Sequence, residues 1–334
     1  MKKTIALLLL VLAVLTAAGG YLAWHETASD ELVFGTRADL PTLTFYTTGL
    51  ATTPQLPFWS AVRNGKLLHY CNLRVRTWKS TDDLRGLLLA GKGDLWLGHV
   101  EGFYQAHQAG APVQILTVSG WKKFYLLSRN PAVKKLADLN GRELPYAPAG
   151  SPAVPILEAV ATNAENDIRY QPFEPKQLAM ALLRGNVQTA LAPEPLVTNL
   201  LTKVDGLRIV TSVEELYGQR TGSPARLPLA GVAVNRHTAE RLPGVVEKLV
   251  EEMISASQRL ESNPEEGIDA RPKVFGQFVS RDTIKQSLSR DLILTRPANQ
   301  IPEEIQAYLT TLNPEKSATT PATDELPVDL LWKP

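Results

Sequence analysis

A two-lobed α/β fold is predicted for this chain by three observations. Apolar runs of strand length alternate with amphipathic stretches of helix length, the alternation restarts after Lys122, and long helical patterns return near the C-terminus. Alternation with short connections argues for parallel strands covered by helices. The 334 residues suffice for two lobes with buried cores, and 44% hydrophobic with 21% charged residues is the balance of a globular protein, which excludes a disordered or fibrous chain.

The elements follow in order. Strands are expected over residues 43–47, 73–78, 94–98 and 113–119, with helices at 59–66, 81–90 and 102–109 between them. After Lys122, strands are expected over 124–128, 143–146, 168–172, 189–192 and 207–211. The helical stretches among them are a short turn at 136–139 and longer runs at 154–164, 175–184 and 196–201. A strand over 229–235 and helices over 243–261, 281–289 and 302–312 complete the series. This assigns 32–120 plus 230–312 to lobe 1 and 121–229 to lobe 2, with two crossovers and a ligand cleft between them. The Pro-, Thr- and acid-rich tail, 313–334, is expected to be poorly ordered, although Leu330, Leu331 and Trp332 are suited to docking on the body. No internal repeat is found.

The N-terminus carries the strongest local signal. Lys2 and Lys3 precede an almost unbroken apolar run from Ile5 to Trp24, which a water-facing helix does not expose without a large solvation penalty. Segment 1–24 is therefore expected to be a signal peptide or a membrane anchor; small residues from Thr16 to Gly20 suit cleavage, while Tyr21 to Trp24 extend the run to bilayer-spanning length. Either outcome places the rest of the chain outside the cytoplasm, in the periplasm or an equivalent space. Lipid attachment is not expected, because the single Cys71 lies far from the apolar run. Cys71 reads as a small buried hydrophobe, and neither a disulfide nor a metal site is expected from one thiol. Lys plus Arg total 35 against 34 for Asp plus Glu, with no long basic run, so nucleic acid is excluded as a partner. No cofactor is expected.

Ligands of open α/β sheets bind beyond the carboxyl ends of the strands, where helix N-termini present unpaired N–H groups. Five loops occupy such positions. The first holds Thr47, Thr48 and Gly49 and leads to Phe58 and Trp59; its hydroxyls suit ligand contact. In the second, Ser80 and Thr81 open a helix, and Ser80 with Asp83 has capping-box spacing, so capping is the safer role for Ser80. The third holds His99 and Glu101, which bind a ligand or line a solvated mouth. In the fourth, Gly150 permits close backbone approach and Ser151 is suited to an N-cap, making either an anion cradle or an ordinary capped helix. In the fifth, Pro193 and Pro195 hold Glu194 stiffly at a strand tip, where it accepts a ligand donor or caps the next helix. Ser119 and Trp121 mark the crossing between lobes, where Trp121 can stack on a flat ligand and Lys122 or Lys123 can meet an anion. Trp59, Trp78, Trp121, Phe103 and Tyr104 form either an aromatic wall or core and rim.

Taken in order, these pieces resemble the solute-binding proteins of nitrate, sulfonate, taurine and thiamine-precursor ABC importers. The resemblance is carried by Pro57 to Leu67, by the leucine-rich helix ending in Gly93-Asp94, and by Leu136 to Leu144. It continues through Gly150-Ser151, Ala179 to Ala192, and Glu194-Pro195, spanning roughly residues 43–235. No one motif is specific; their order is. Gln188 stands where that family often has Asp, and the cysteine-rich motif of the related pyrimidine synthases is absent. The resemblance implies a type II periplasmic binding protein that captures a small solute and delivers it to a membrane permease, without enzymatic activity. Two alternatives share the clamp: an enzyme using His99, Glu101 and Glu194 for acid or base work, or a membrane-tethered sensor.

Overall fold

The computed structural model describes residues 31–49, 52–276, 279–312 and 325–334. The apolar segment 1–24, loop residues Leu50 and Ala51, and tail residues 313–324 lie outside the described residues. Among the described residues, no helix is long and apolar enough to cross a membrane.

Two sheets organise the chain. The first contains β1 (Leu32–Phe34), β2 (Thr42–Thr48), β3 (Asn72–Trp78), β4 (Leu95–His99) and β5 (Val113–Gly120), joined by the later β11 (Ala230–Asn235) and β12 (Arg296–Pro297). Its order is β1-β3-β2-β4-β11-β5-β12. The second contains β6 (Phe124–Ser128), β7 (Glu143–Tyr146), β8 (Arg169–Pro172), β9 (Thr189–Pro193) and β10 (Arg208–Ser212), in the order β10-β6-β9-β7-β8. Parallel pairing holds where a helical crossover joins neighbours, as in β2–β3, β2–β4, β7–β8 and β7–β9. The parallel expectation fails at the sheet edges, where β1 is antiparallel to β3 and β12 to β5, and inside the sheets at β11, antiparallel to both β4 and β5, and at β6, antiparallel to both β9 and β10. Strands β11 and β6 are those by which the chain enters a lobe from the other one, and so they run against their neighbours.

Twelve α-helices, counted among the described residues, cover these sheets. In lobe 1, α1 (Leu56–Arg63), α2 (Thr81–Leu89) and α3 (Val100–Gln108) follow β2, β3 and β4. In lobe 2, α4 (Ala153–Ala159), α5 (Pro175–Leu183), α6 (Leu196–Lys203) and α7 (Val213–Thr221) follow β7, β8, β9 and β10. The C-terminal part supplies α8 (Arg236–Arg241), α9 (Pro243–Ser262), α10 (Pro264–Ala270), α11 (Arg281–Ser287) and α12 (Pro302–Leu312). The α4 helix stops short of the expected residue 164. Beyond it, Glu165 accepts hydrogen bonds from the Thr162 backbone N–H and hydroxyl and pairs with Arg220, closing a separate turn.

Lobe 1 is built on aromatic packing: Phe45, Phe58 and Trp59 are fully buried, with ring centroids 4.1 Å apart for Phe45–Phe58 and 5.3 Å for Phe58–Trp59. Lobe 2 has an aliphatic core of Leu178, Leu182, Ala190, Val197 and Leu200. A further apolar cluster runs through both lobes, joining Trp96, Val118 and Trp121 to Phe124, Leu126 and Ile156. Ile305, Tyr308 and Leu309 of α12 belong to it, so this helix, expected in lobe 1, also packs on α4 of lobe 2. At the tail, Leu330, Leu331 and Trp332 are buried. The Ile115 N–H donates to the Leu330 carbonyl at 2.8 Å, and the Trp332 N–H donates to the Ile115 carbonyl at 3.1 Å.

Candidate functional site between the lobes

The local chemistry of each strand-end loop decides which of its side chains remain available. In the first loop, Thr47 is buried and donates to Gln55 Oε1 at 3.1 Å, an oxygen that also accepts the Trp59 indole N–H at 3.0 Å. Phe58 and Trp59 therefore sit in the aromatic core of lobe 1, away from the cleft where a ligand role had been expected. Their apolar area explains this, since burying a large ring among other rings is worth more than leaving it at a wet rim. Thr48 is buried and Gly49 half-exposed. Ser119 donates to the Pro54 carbonyl at 2.8 Å, which presses this loop against β5.

Two loops meet face to face. Ser80 caps α2, accepting the Asp83 N–H at 3.1 Å, and Asp83 accepts the Lys79 N–H at 2.9 Å. Beside it, Thr81 is exposed. Opposite, Gly150 adopts φ +73°, and a Cβ added there would lie 3.3 Å from the Thr81 hydroxyl. The lobes thus approach closely between Thr81 and Gly150. Next to Gly150, Ser151 is buried and its hydroxyl accepts the Ala153 N–H at 3.3 Å, but the N-cap position itself falls to Pro152, one residue later than expected, because the helix begins only at Ala153. Half-buried Trp78 and Tyr146, from β3 and β7, pack at the edge of the interlobe apolar cluster.

The remaining expected residues are largely committed to neighbours. His99 Nδ1 lies 3.7 Å from Glu101, and Glu101 accepts the Tyr308 hydroxyl of α12 at 3.0 Å. The Trp121 ring is fully buried, donates its indole N–H to the Leu294 carbonyl, and carries the Arg226 guanidinium 5.2 Å above it, so stacking on a ligand would require it to leave this setting. Glu194 is buried: one oxygen accepts the Thr198 N–H at 3.0 Å and hydroxyl at 2.9 Å, and the other accepts Arg290 Nε at 2.8 Å.

Three residues outside the expected set, Arg290, Asp291 and Glu214, complete the crossing around Lys123, which was expected to meet an anion. Arg290 and Asp291 follow α11, and Glu214 lies in α7. Lys123 is only 9% exposed, and its ammonium is enclosed without a hydrogen-bond partner. Burial pushes the Lys123 ammonium down, against the pull of Asp291, Glu194 and Glu214. Burial likewise raises the Asp291 carboxyl and pushes Glu214 up to about 7, although Glu214 accepts the backbone N–H groups of Lys123 and Phe124 at 2.8 and 3.1 Å. The missed signal for α7 was Ser212 with Glu215, a complete capping box in which each side chain accepts the other's N–H. Cys71 is buried and its thiol is pushed up to about 12, the setting of a packing residue. Among the described residues, no group of three or more His, Cys, Asp or Glu is placed to hold a metal.

A concavity of about 970 Å³ lies among lobe 1 elements, lined by Phe34, Arg63, Glu266, Arg271 and Lys273. A second, of about 470 Å³, separates α6 from α11 and is lined by Thr198, Leu201, Lys285 and Arg290.

The fold and the strand-end loops define the class: this is the two-lobed type II fold of periplasmic solute-binding proteins. Residues 155–270 match the model of the NMT1-like family. The solved periplasmic aliphatic sulphonate binding protein SsuA from Escherichia coli is similar over 88% of this chain and 92% of its own, at 17% identity and a TM-score of 0.67. The alkanesulfonate-binding protein SsuA from Xanthomonas axonopodis pv. citri, bound to MOPS, is similar over 88% and 97%, at 18% identity and a TM-score of 0.62. The periplasmic nitrate-binding protein NrtA from Synechocystis PCC 6803 covers 86% of this chain and 84% of its own, at 15% identity and a TM-score of 0.60. No curated protein matches the sequence.

Proposed function

We propose that this chain is an extracytoplasmic receptor of an ABC importer, which captures a small solute between its lobes and passes it to a membrane permease. The observation that carries the reading is the approach of Thr81 and Gly150 from opposite lobes, at strand-end loops of a type II fold. In this reading Thr48, Gly49, Thr81 and Gly150 contact the solute, the Ser80-capped start of α2 turns backbone N–H groups toward it, and Trp78 and Tyr146 border it. An anion of the sulfonate or nitrate kind fits N–H groups at a helix start, and the solved proteins with this fold include binders of such anions. The N-terminal run serves as leader or tether. An acid–base enzyme has less support, since Glu101 and Glu194 are both engaged by protein donors.

Thermal-shift screening and equilibrium dialysis against alkanesulfonates, nitrate, pyrimidines and small carboxylates test the proposal. Saturable binding of one class, with the solute recovered unchanged, supports it. Failure to bind any of them while converting one overturns it.

A further inference from the structure

The two lobes are joined by more than their crossing strands. After α11 the chain reaches Arg290 and Asp291, which stand with one foot on each lobe. On the lobe 1 side, Ile284 of α11 packs with Leu56, Leu260 and Ile268, and Asp291 accepts the Thr53 hydroxyl. On the lobe 2 side, Arg290 makes three contacts. Its Nε donates to Glu194 at 2.8 Å, its Nη2 donates to the Thr198 hydroxyl, and its backbone carbonyl accepts the Tyr125 hydroxyl of β6. Glu194 has no exposed side-chain surface, and its second oxygen is occupied by Thr198, so the guanidinium completes an otherwise closed set.

We propose that Arg290–Asp291 is an interlobe latch, which holds the clamp closed by gripping Glu194, Thr198 and Tyr125 of lobe 2 from an anchor on lobe 1. Swinging the lobes apart breaks the charge-assisted Arg290–Glu194 bond, made to a carboxylate whose other oxygen is already held by Thr198, and this favours the closed state. An opposing bias is built into the same place. Lys123, enclosed and unpartnered, and Asp291 gain water when the lobes separate, which favours the open state. Grip and hydration act on one equilibrium, and capture of any solute between the lobes must work through it.

The test measures that equilibrium directly and needs no solute. Nitroxide labels are attached to the full chain in detergent at Leu89→Cys in lobe 1 and Leu183→Cys in lobe 2, both exposed positions, while native Cys71 is fully buried. Pulsed electron resonance then gives the interlobe distance distribution. Arg290→Met is expected to lower the closed-to-open ratio on the order of tenfold, with Arg290→Lys intermediate. Lys123→Met is expected to move the distribution toward the closed state. Arg281→Met, which removes ion pairs to Glu265 and Asp269 inside lobe 1, is expected to leave it unchanged. Should Arg290→Met fail to fold, Glu194→Gln probes the same contact. An unchanged distribution in a folded Arg290→Met or Glu194→Gln protein overturns the latch. Because no ligand enters, that result leaves the receptor reading untouched.

Discussion

The two lobes share one strand plan and differ in what fills it. In lobe 1 the order β3-β2-β4-β11-β5 places the entering strand antiparallel between the fourth and fifth strands of the lobe, and in lobe 2 the order β8-β7-β9-β6-β10 does the same. Lobe 1 packs Phe45, Phe58 and Trp59 and gains three C-terminal helices around them, whereas lobe 2 packs Leu178, Leu182, Val197 and Leu200. At the crossing the contrast reverses. Lobe 2 supplies the buried carboxylates Glu194 and Glu214, and lobe 1 answers Glu194 with Arg290. The pair teaches that strand order is set by how the chain enters a lobe, while polarity at the crossing is set residue by residue.

The largest effect separates the two cores. Trp59→Ala in lobe 1 is expected to cost about 3–5 kcal/mol, because it empties a site ringed by Phe34, Phe45, Phe58 and Phe275. Leu182→Ala in lobe 2 is expected to cost about 2–5 kcal/mol by the same route. Denaturant titration of both variants checks the figures. A Trp59→Ala protein of unchanged stability but lost solute affinity would break the comparison and return the ring to the cleft.

A smaller effect belongs to the crossing. Burial raises Glu214 to about 7, above its unfolded value, so its contribution to stability is fully present below the unfolded pKa and is lost as pH rises through about 7. The loss is on the order of 3 kcal/mol for a shift of this size. Glu214→Gln keeps an acceptor for the Lys123 and Phe124 N–H groups without the charge. The variant is therefore expected to gain stability relative to the parent at about pH 8 and to match it near pH 4. Lys123, lowered by burial, opposes this slope, and because the Glu214 charge holds its ammonium up, the difference between parent and variant reports the two groups together. Equal pH profiles for parent and variant would show that Glu214 ionises without penalty.

Legibility in the sequence followed the length scale of each interaction. Strands such as Phe124–Ser128 and Glu143–Tyr146 match the expected ranges, because their apolar runs carry the signal by themselves. Three-residue β1 was too short to show a period, and α7 was hidden in a weakly amphipathic stretch whose only clear sign was the Ser212–Glu215 box. At the site, Gly150 and Ser80 were readable because backbone freedom and capping are local properties. Arg290 was not. Its partner Glu194 lies 96 residues away, and nothing in the local pattern distinguishes it from other surface arginines until the fold brings the two together.

The smallest expected effect compares the helix starts of the two lobes. Ser80 opens α2 and Ser212 opens α7, each accepting the N–H three residues on, at 3.1 Å in both cases. Ser80→Ala and Ser212→Ala are each expected to lower stability by about 1 kcal/mol, the ordinary loss of an N-cap. Solute affinity then separates them. Ser212 sits buried behind the crossing, so its loss is expected to leave affinity unchanged. Ser80 is exposed beside Thr81, and its hydroxyl is committed to Asp83, so Ser80→Ala is expected to weaken binding only as far as the freed helix start drifts. A loss of affinity with Ser80→Ala much greater than its loss of stability would show the hydroxyl turning from its cap to the solute, and would make lobe 1 the side that recognises it.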